Sequence, residues 1–406
     1  MPAALSGIRV LDLSRVLAGP WATQTLADLG AEVIKIERPG SGDDTRQWGP
    51  PYLKDAEGKD TSEAAYYLST NRNKKSVTLD IAAPEGQALA RKLALQSDVL
   101  VENFKVGGLK QYGLDYDSLR AEAPRLVYCS ITGFGQTGPY AGRAGYDYLI
   151  QALGGLMSIT GRADDEEGAG PVKVGVAVVD ILTGLYATIG ILAALQARER
   201  TGHGQHIDMA LLDVQVAALA NQASNFLATG RAPKRLGNSH PNIVPYQDFP
   251  TADGEMILAI GNDAQFRKFC ALAGQEALSR DERFASNALR VQNRKLLLPL
   301  LRQITVMRTT QEWIALLEAY AVPCGPINDI ADVFADPQVA ARGLRLDLPH
   351  AFGTAPSVAS PLRLSETPVE YRHAPPLLGE HTRQVLRERL ALTDDDLDAL
   401  AERKVI

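Results

Sequence analysis

The chain of 406 residues is 45% hydrophobic and 22% charged, the balance of a soluble globular protein with one large domain or two ordinary ones. A net charge of −6 with no long block of either sign lacks the basic stripe that a nucleic-acid partner requires. Cys129, Cys270 and Cys324 stand far apart, give neither a disulfide framework nor a zinc spacing, and read as small reduced core residues.

Residues 1–14 carry no apolar signal core and pass at once into a strand pattern, so a cytoplasmic setting is expected. Ile8, Val10, Leu11 and Leu13 make the first strand, and Gly19-Pro20 opens a helix that stops near Leu29-Gly30. Val33, Ile34 and Ile36 form the next strand, followed by strand 76–79, helix 85–97, and strands 98–101 and 125–131. Strands alternating with helices predict a parallel sheet covered on both faces, a nucleotide-fold-like α/β domain, although GxGxxG and GxxxxGK[ST] are both absent. Helices are expected over 181–198 and 211–227, with a turn at Gly202 and Gly204 and a short strand over 205–209. The turn-rich stretch 230–245 marks a domain change. Beyond it, strand 256–260 and helices 263–273, 290–306 and 310–321 predict a smaller α+β domain. The expected organisation is a large domain over 1–229, a small domain over 230–325, and a segment 326–406 returning to the large domain with a terminal helix over 393–403.

Residues 174–196 are long enough to cross a bilayer and contain one charged side chain, Asp180. Gly175, Asp180, Thr183 and Gly184 interrupt the run, so it reads as a loop or strand to 179 and then a buried core helix, with no membrane partner expected. A carboxylate inside an apolar run is costly unless bonded. Asp180 could meet that cost by capping a helix that begins at Ile181, and a nucleophilic carboxylate needs the same dry, oriented setting.

Arg15 and Arg38 directly follow strands, on the edge where open α/β sheets place ligands. The basic run 71–75 has the composition of a solvated face, with phosphate attraction as the functional alternative. Phe104 ends a strand, where an aromatic packs in the core or stacks on a purine. None of the six histidines forms HxH or HExxH, and His240 sits in a loop without a paired ligand, so no metal site is expected. A GxSxG elbow is absent.

Several segments, in order along nearly the whole chain, resemble the family III CoA-transferases of CaiB/BaiF type. They are 16–20, 28–39, 71–77, Val101-Glu102-Asn103-Phe104, 131–135, Gly145-Tyr146-Asp147, Val179-Asp180 and 378–382. Residues 40–50, 243–247 and 325–328 are most similar to the succinate–hydroxymethylglutarate branch. The resemblance implies two ring-like subunits threaded through each other as an interlocked homodimer. It implies Asp180 as the catalytic nucleophile and coenzyme A as substrate and product, with no tightly bound cofactor. CoA contacts would fall on Val16, Ala18, Arg38, Leu79, Asn103, Phe104, Lys105 and Tyr146, with Arg38 by the adenine–ribose phosphate and Tyr146 near the thioester. Arg15, Arg72 and His240 are the candidates to hold a distal carboxylate of the acid substrate. A basic residue of oxalate-type members falls near Gln111, and their polyglycine loop is replaced by residues 237–242, which speaks against formyl-CoA–oxalate chemistry. Related racemases carry histidine where Tyr146 stands, so an acyl-CoA racemase is the weaker alternative, as is a non-catalytic CoA-binding protein.

Overall fold

The computed structural model describes residues 2–406. The chain forms two compact units. The larger takes the residues up to Leu156 with Val174–Ser224 and Gln338–Ile406, and the smaller takes Met157–Lys173 with Asn225–Pro337.

In the larger unit β1 (Arg9–Asp12), α1 (Ala18–Asp28), β2 (Glu32–Glu37), β3 (Lys74–Thr78), α2 (Pro84–Leu95), β4 (Val99–Glu102) and β5 (Val127–Thr132) appear in that order. After α3 (Asp147–Leu153) and α4 (Val178–Thr201), β6 (His206–Ala210) completes the sheet and α5 (Leu211–Ala218) follows directly. All six strands are parallel, in the spatial order β3-β2-β1-β4-β5-β6. Strand order reverses between β1 and β4, and in such sheets a crevice opens there beyond the carboxyl ends.

Side-chain alternation explains why both faces are covered. Leu11, Ile34, Ile36, Val77, Leu100 and Tyr128 point to one face and pack under Leu89 and Leu93 of α2 and the terminal helices. Their sequence neighbours Val10, Val33, Val99, Val101, Val127 and Cys129 point to the other, under α1 and α4. Each fully buried Leu or Ile contributes about 1.5–3 kcal/mol, so neither layer can be stripped without losing the sheet.

Helix α4 is long and apolar enough to cross a membrane, yet Ala187, Ile191, Ala194 and Leu195 along one side are buried in the larger unit's core. Its other side leaves Leu185, Tyr186 and Ile189 exposed. It begins at Val178, earlier than the Ile181 expected from sequence, and this changes the role of Asp180 described below. Helix 211–227 is in fact two, Leu211–Ala218 and Ala220–Thr229, broken where Ala220 takes a left-handed φ of 44°. The expected helix 290–306 likewise divides at Asn293 into Asn287–Gln292 and Arg294–Thr305.

The run 71–75 is not a solvated face. Asn71, Arg72, Asn73 and Lys74 are all buried. Lys74 Nζ reaches Asp12 at 3.2 Å, the carbonyl of Pro20 at 3.0 Å and Asn71 at 2.9 Å, so its charge is met inside the protein.

The smaller unit is built on a three-stranded antiparallel sheet of Tyr246–Pro250, Glu255–Ala259 and Cys324–Pro326. Its core gathers Phe249, Phe266, Phe269, Leu297, Leu301 and Trp313. Buried Arg290 is satisfied there by Asp263 at 2.8 Å and by the carbonyls of Val244 and Phe284.

Candidate active site

The segment after β1 makes the floor of the crevice. Its backbone is held by buried charges rather than by regular structure. Asp12 accepts from Ser14 N at 2.9 Å, and Lys35 Nζ donates to the Ser14 carbonyl at 2.7 Å. Lys35 also pairs with Asp43 at 2.9 Å, and Asp43 accepts from Val16 N at 3.2 and 3.3 Å. These bonds hold Val16 at a left-handed φ of 73°, a costly conformation for a β-branched residue. Gly19 closes the turn, because a Cβ there would lie 2.2 Å from Ser14 Oγ. Across the switch point, Asn103 after β4 clamps Arg15 both ways, accepting from its N–H at 3.0 Å and donating to its carbonyl at 2.7 Å.

Above this floor a cavity of about 590 Å³ is lined by Arg15, Val16, Ala18, Asn103, Phe104, Lys105, Tyr146 and Asp180. Arg15, Asp44, Phe104 and Tyr112 are shared with a second cavity of about 450 Å³, which holds Leu79 and Arg38. Asp180, all eight expected CoA contacts and Arg15 therefore lie along a single continuous track, with Leu79 and Arg38 at its far part.

Asp180 does not cap its own helix, as the sequence suggested. It lies in the first turn of α4, and Ala177 at the cap position makes no side-chain bond. The capping carboxylate comes instead from Asp147 on α3, which accepts from Val179 N at 2.8 Å and Asp180 N at 3.4 Å. Gln151 donates to the other oxygen of Asp147 at 2.7 Å and accepts from Val174 N at 2.9 Å. α3 itself is brought in by two bare backbones, since a Cβ on Gly133 or Gly145 would lie within 2.6 Å of the other's Cα. Asp180 thus keeps its carboxyl unbonded and unpaired among the described residues. Burial, reinforced by the Asp147 charge, pushes its pKa up to about 7.

Sequence reasoning missed several residues around this carboxyl. Asp147 stands in the Gly145-Tyr146-Asp147 motif, which gives no sign that it caps a helix thirty-odd residues on. Arg143 lines the cavity and lies over the rings of Tyr140 and Phe134 at 4.5 and 5.2 Å. Trp48 lines it too and meets Tyr66 edge-on at 5.1 Å. Burial, and then the Asp180 charge, pushes the Tyr66 phenol up to about 12. Beneath Phe104, Glu102 accepts from the Phe104 N–H at 2.8 Å, and burial pushes its carboxyl up to about 7. Arg143, Trp48 and Tyr66 carry no local sequence signal, and the motifs that contain Asp147 and Glu102 do not reveal what either carboxyl bonds.

Two expected substrate residues are not in the track. Arg72 is buried, with its guanidinium taken up by Asp28, Ser357 Oγ and the Val358 carbonyl, so none of it faces an acid substrate. His240 lies in the smaller unit, where its Nδ1 accepts from Asn242 N at 3.1 Å and its ring tilts against Tyr246.

A doubly wound sheet with a long cleft at its switch point, lined by one unbonded carboxyl, has the architecture of a nucleotide-type α/β enzyme. Comparison with known proteins gives the class its name. The chain belongs to CoA-transferase family III, whose sequence profile matches residues 5–382. It is 56% identical over 385 residues to the succinate–glutarate CoA-transferase of Agrobacterium fabrum, covering 95% of both chains. It is 45% identical over 403 residues to succinyl-CoA:glutarate CoA-transferase of Homo sapiens, covering 99% of this chain and 90% of that protein. The crystal structure of a CaiB/BaiF family protein from Brucella suis matches with 51% identity and a TM-score of 0.83, covering 96% of this chain and 100% of that one.

Proposed function

We propose that this CoA-transferase carries CoA from succinyl-CoA to glutarate or a similar dicarboxylic acid through covalent intermediates on Asp180. The observation that carries this reading is the Asp180 carboxyl itself, aimed into the cleft with its helix cap supplied by another residue. In the ionised form it attacks the thioester carbonyl, giving a mixed anhydride and free CoA thiolate. The thiolate attacks the aspartyl carbonyl, releasing the donor acid and leaving Asp180 as a CoA thioester. The acceptor carboxylate then attacks that thioester, and the expelled thiolate takes the acceptor acyl group from the new anhydride. Every bond broken is balanced by one of similar reactivity, so the site's task is positioning and exclusion of water. No metal or redox group enters the balance.

The acids named for the relatives are dicarboxylic, and the cavity has the charge to hold a second carboxylate. Of its cations, Arg15 is paired with Asp44 at 2.9 Å, whereas Arg143 and Lys105 have no acidic partner among the described residues. Arg143 is the better anchor, since its planar fork can donate two parallel bonds to one carboxylate. The exposed apolar side chains of α3 and α4 (Tyr148, Leu149, Leu153, Leu185, Tyr186, Ile189) support an interlocked homodimer as the working form.

The test is to incubate the enzyme with succinyl-CoA, trap with hydroxylamine or borohydride, and map the product by mass spectrometry. Modification of the peptide containing Asp180, lost in Asp180→Asn, is the expected result. A folded Asp180→Asn enzyme that exchanges CoA at the wild-type rate, without reversion of the amide, would refute the assignment.

A further inference from the structure

Three cavities run in series along the carboxyl edge of the sheet. The first contains Asp180 and shares Arg15 and Phe104 with the second. The second shares Arg38 and Asp80 with a third, of about 390 Å³, whose far wall is Lys404 and its neighbours. CoA is a linear molecule with its thioester at one end and a 3′-phosphorylated adenosine at the other. If the thioester carbon is to meet Asp180, the nucleotide lies toward the third cavity. We propose that Lys404 is a second phosphate-binding residue there, recognising with Arg38 the 3′-phosphate that distinguishes CoA from dephospho-CoA. This rests on the CoA-transferase reading of the same cleft.

The local structure presents Lys404 for this purpose. The last helix, Asp394–Glu402, ends at Arg403, and Lys404 takes a left-handed φ of 58° with its N–H on the Ala401 carbonyl at 2.9 Å. Val405 then turns back into the core, bonding the Leu400 carbonyl at 2.9 Å and accepting from Asp80 N at 2.8 Å. A buried residue on one side and a helix end on the other leave the exposed Lys404 side chain at the mouth of the cavity. The charge pattern singles it out as well. The four arginines nearby are all paired, Arg383 with Asp398, Arg387 with Asp394, Arg389 with Glu32, and Arg403 with Glu85. Lys404 and Arg38 have no acidic partner within salt-bridge distance among the described residues. The one acid side chain on this wall, Asp80, accepts from Ala82 N at 3.0 Å. Two unpaired cations flanking one opening suit a phosphate dianion, with lysine acting as a mobile point charge.

The experiment is titration calorimetry of the full chain with CoA and with 3′-dephospho-CoA, comparing wild type, Lys404→Ala and Lys404→Arg, with melting curves to confirm folding. Lys404→Ala is expected to weaken CoA binding about fivefold, the upper end for an exposed ion pair, and to leave dephospho-CoA binding unchanged. Lys404→Arg should keep most of the preference, and raising the salt should shrink it. Equal loss for both ligands, or none for either in a folded variant, overturns the role of Lys404 and leaves the transferase reading standing. A wild-type protein that binds neither ligand overturns both.

Discussion

Lifting a carboxyl from its ordinary 3.8 to about 7 amounts to about 4 kcal/mol against the charged form. That figure is an upper bound, since the cavity admits water. In the proposed mechanism Asp180 attacks only as the carboxylate, so the first half-reaction should follow its ionisation. With a midpoint near 7, about one tenth of the enzyme is competent at pH 6 and about nine tenths at pH 8. The apparent kcat/KM for CoA release from succinyl-CoA should therefore rise about tenfold across that interval with unit slope on its acid limb. Asp147→Asn sharpens the test. Its amide oxygen can still accept from Val179 N, but the like charge that helps raise Asp180 is gone, so the midpoint should move to lower pH. Quenched-flow measurement of thiol release over that range decides the matter. A flat wild-type profile would show that Asp180 is already ionised, and a midpoint that Asp147→Asn leaves in place or moves upward would show that the electrostatic role given to Asp147 is wrong.

Glu102 is buried and its folded pKa lies above its ordinary 4.5, so the folded state holds a proton that the unfolded chain has lost, and stability falls as pH rises from about 4.5 to about 7. Glu102→Gln should remove that slope and gain up to about 3 kcal/mol at pH 8 and little at pH 4.5, read by urea unfolding; an equal effect at both pH values contradicts the reasoning. Arg72→Met strands the buried Asp28 carboxylate and should cost about 3–5 kcal/mol of stability while leaving KM for the acid unchanged in the folded fraction. A large rise in that KM with an unaltered melting temperature would return Arg72 to the substrate. Arg143→Ala should raise KM for glutarate about tenfold and leave a monocarboxylic acceptor of the same length unaffected. Equal effects on the two acids would remove Arg143 as the distal anchor.

The sheet of the larger unit was legible because its strands are short apolar runs between helix punctuation. Gly19-Pro20, Leu29-Gly30 and the unbroken Val99, Leu100 and Val101 each have a local physical meaning, and all six parallel strands follow from it. What was not legible has a common cause. Ala220 breaks a helix without Gly or Pro, and Asn293 divides a run of uniform apolar period. In both cases local propensity is silent about the break. Lys74 illustrates the converse error, since its partners Asp12 and Pro20 lie more than fifty residues away and composition alone cannot see them.

The same distinction separates the parts of the site. Val16, Asn103, Arg38 and Leu79 each follow a strand, so their place at the carboxyl edge comes directly from the sheet, and the resemblance adds only what they touch. Arg72 also comes near a strand, but just before it, at the opposite edge from the cleft, and that position alone accounts for its structural role with Asp28. Asp180 required more. Its isolation in an apolar run marked it, but the run equally fitted a self-capping aspartate. The two readings part only through Asp147, which caps the helix from α3 and so leaves the Asp180 carboxyl unbonded. One carboxylate holds the backbone and raises the pKa of the other, which is left with no structural bond to make. That division of labour between two acids thirty-odd residues apart is a property of the packing of α3 against α4, held by Gly133 and Gly145, and not of either segment's sequence.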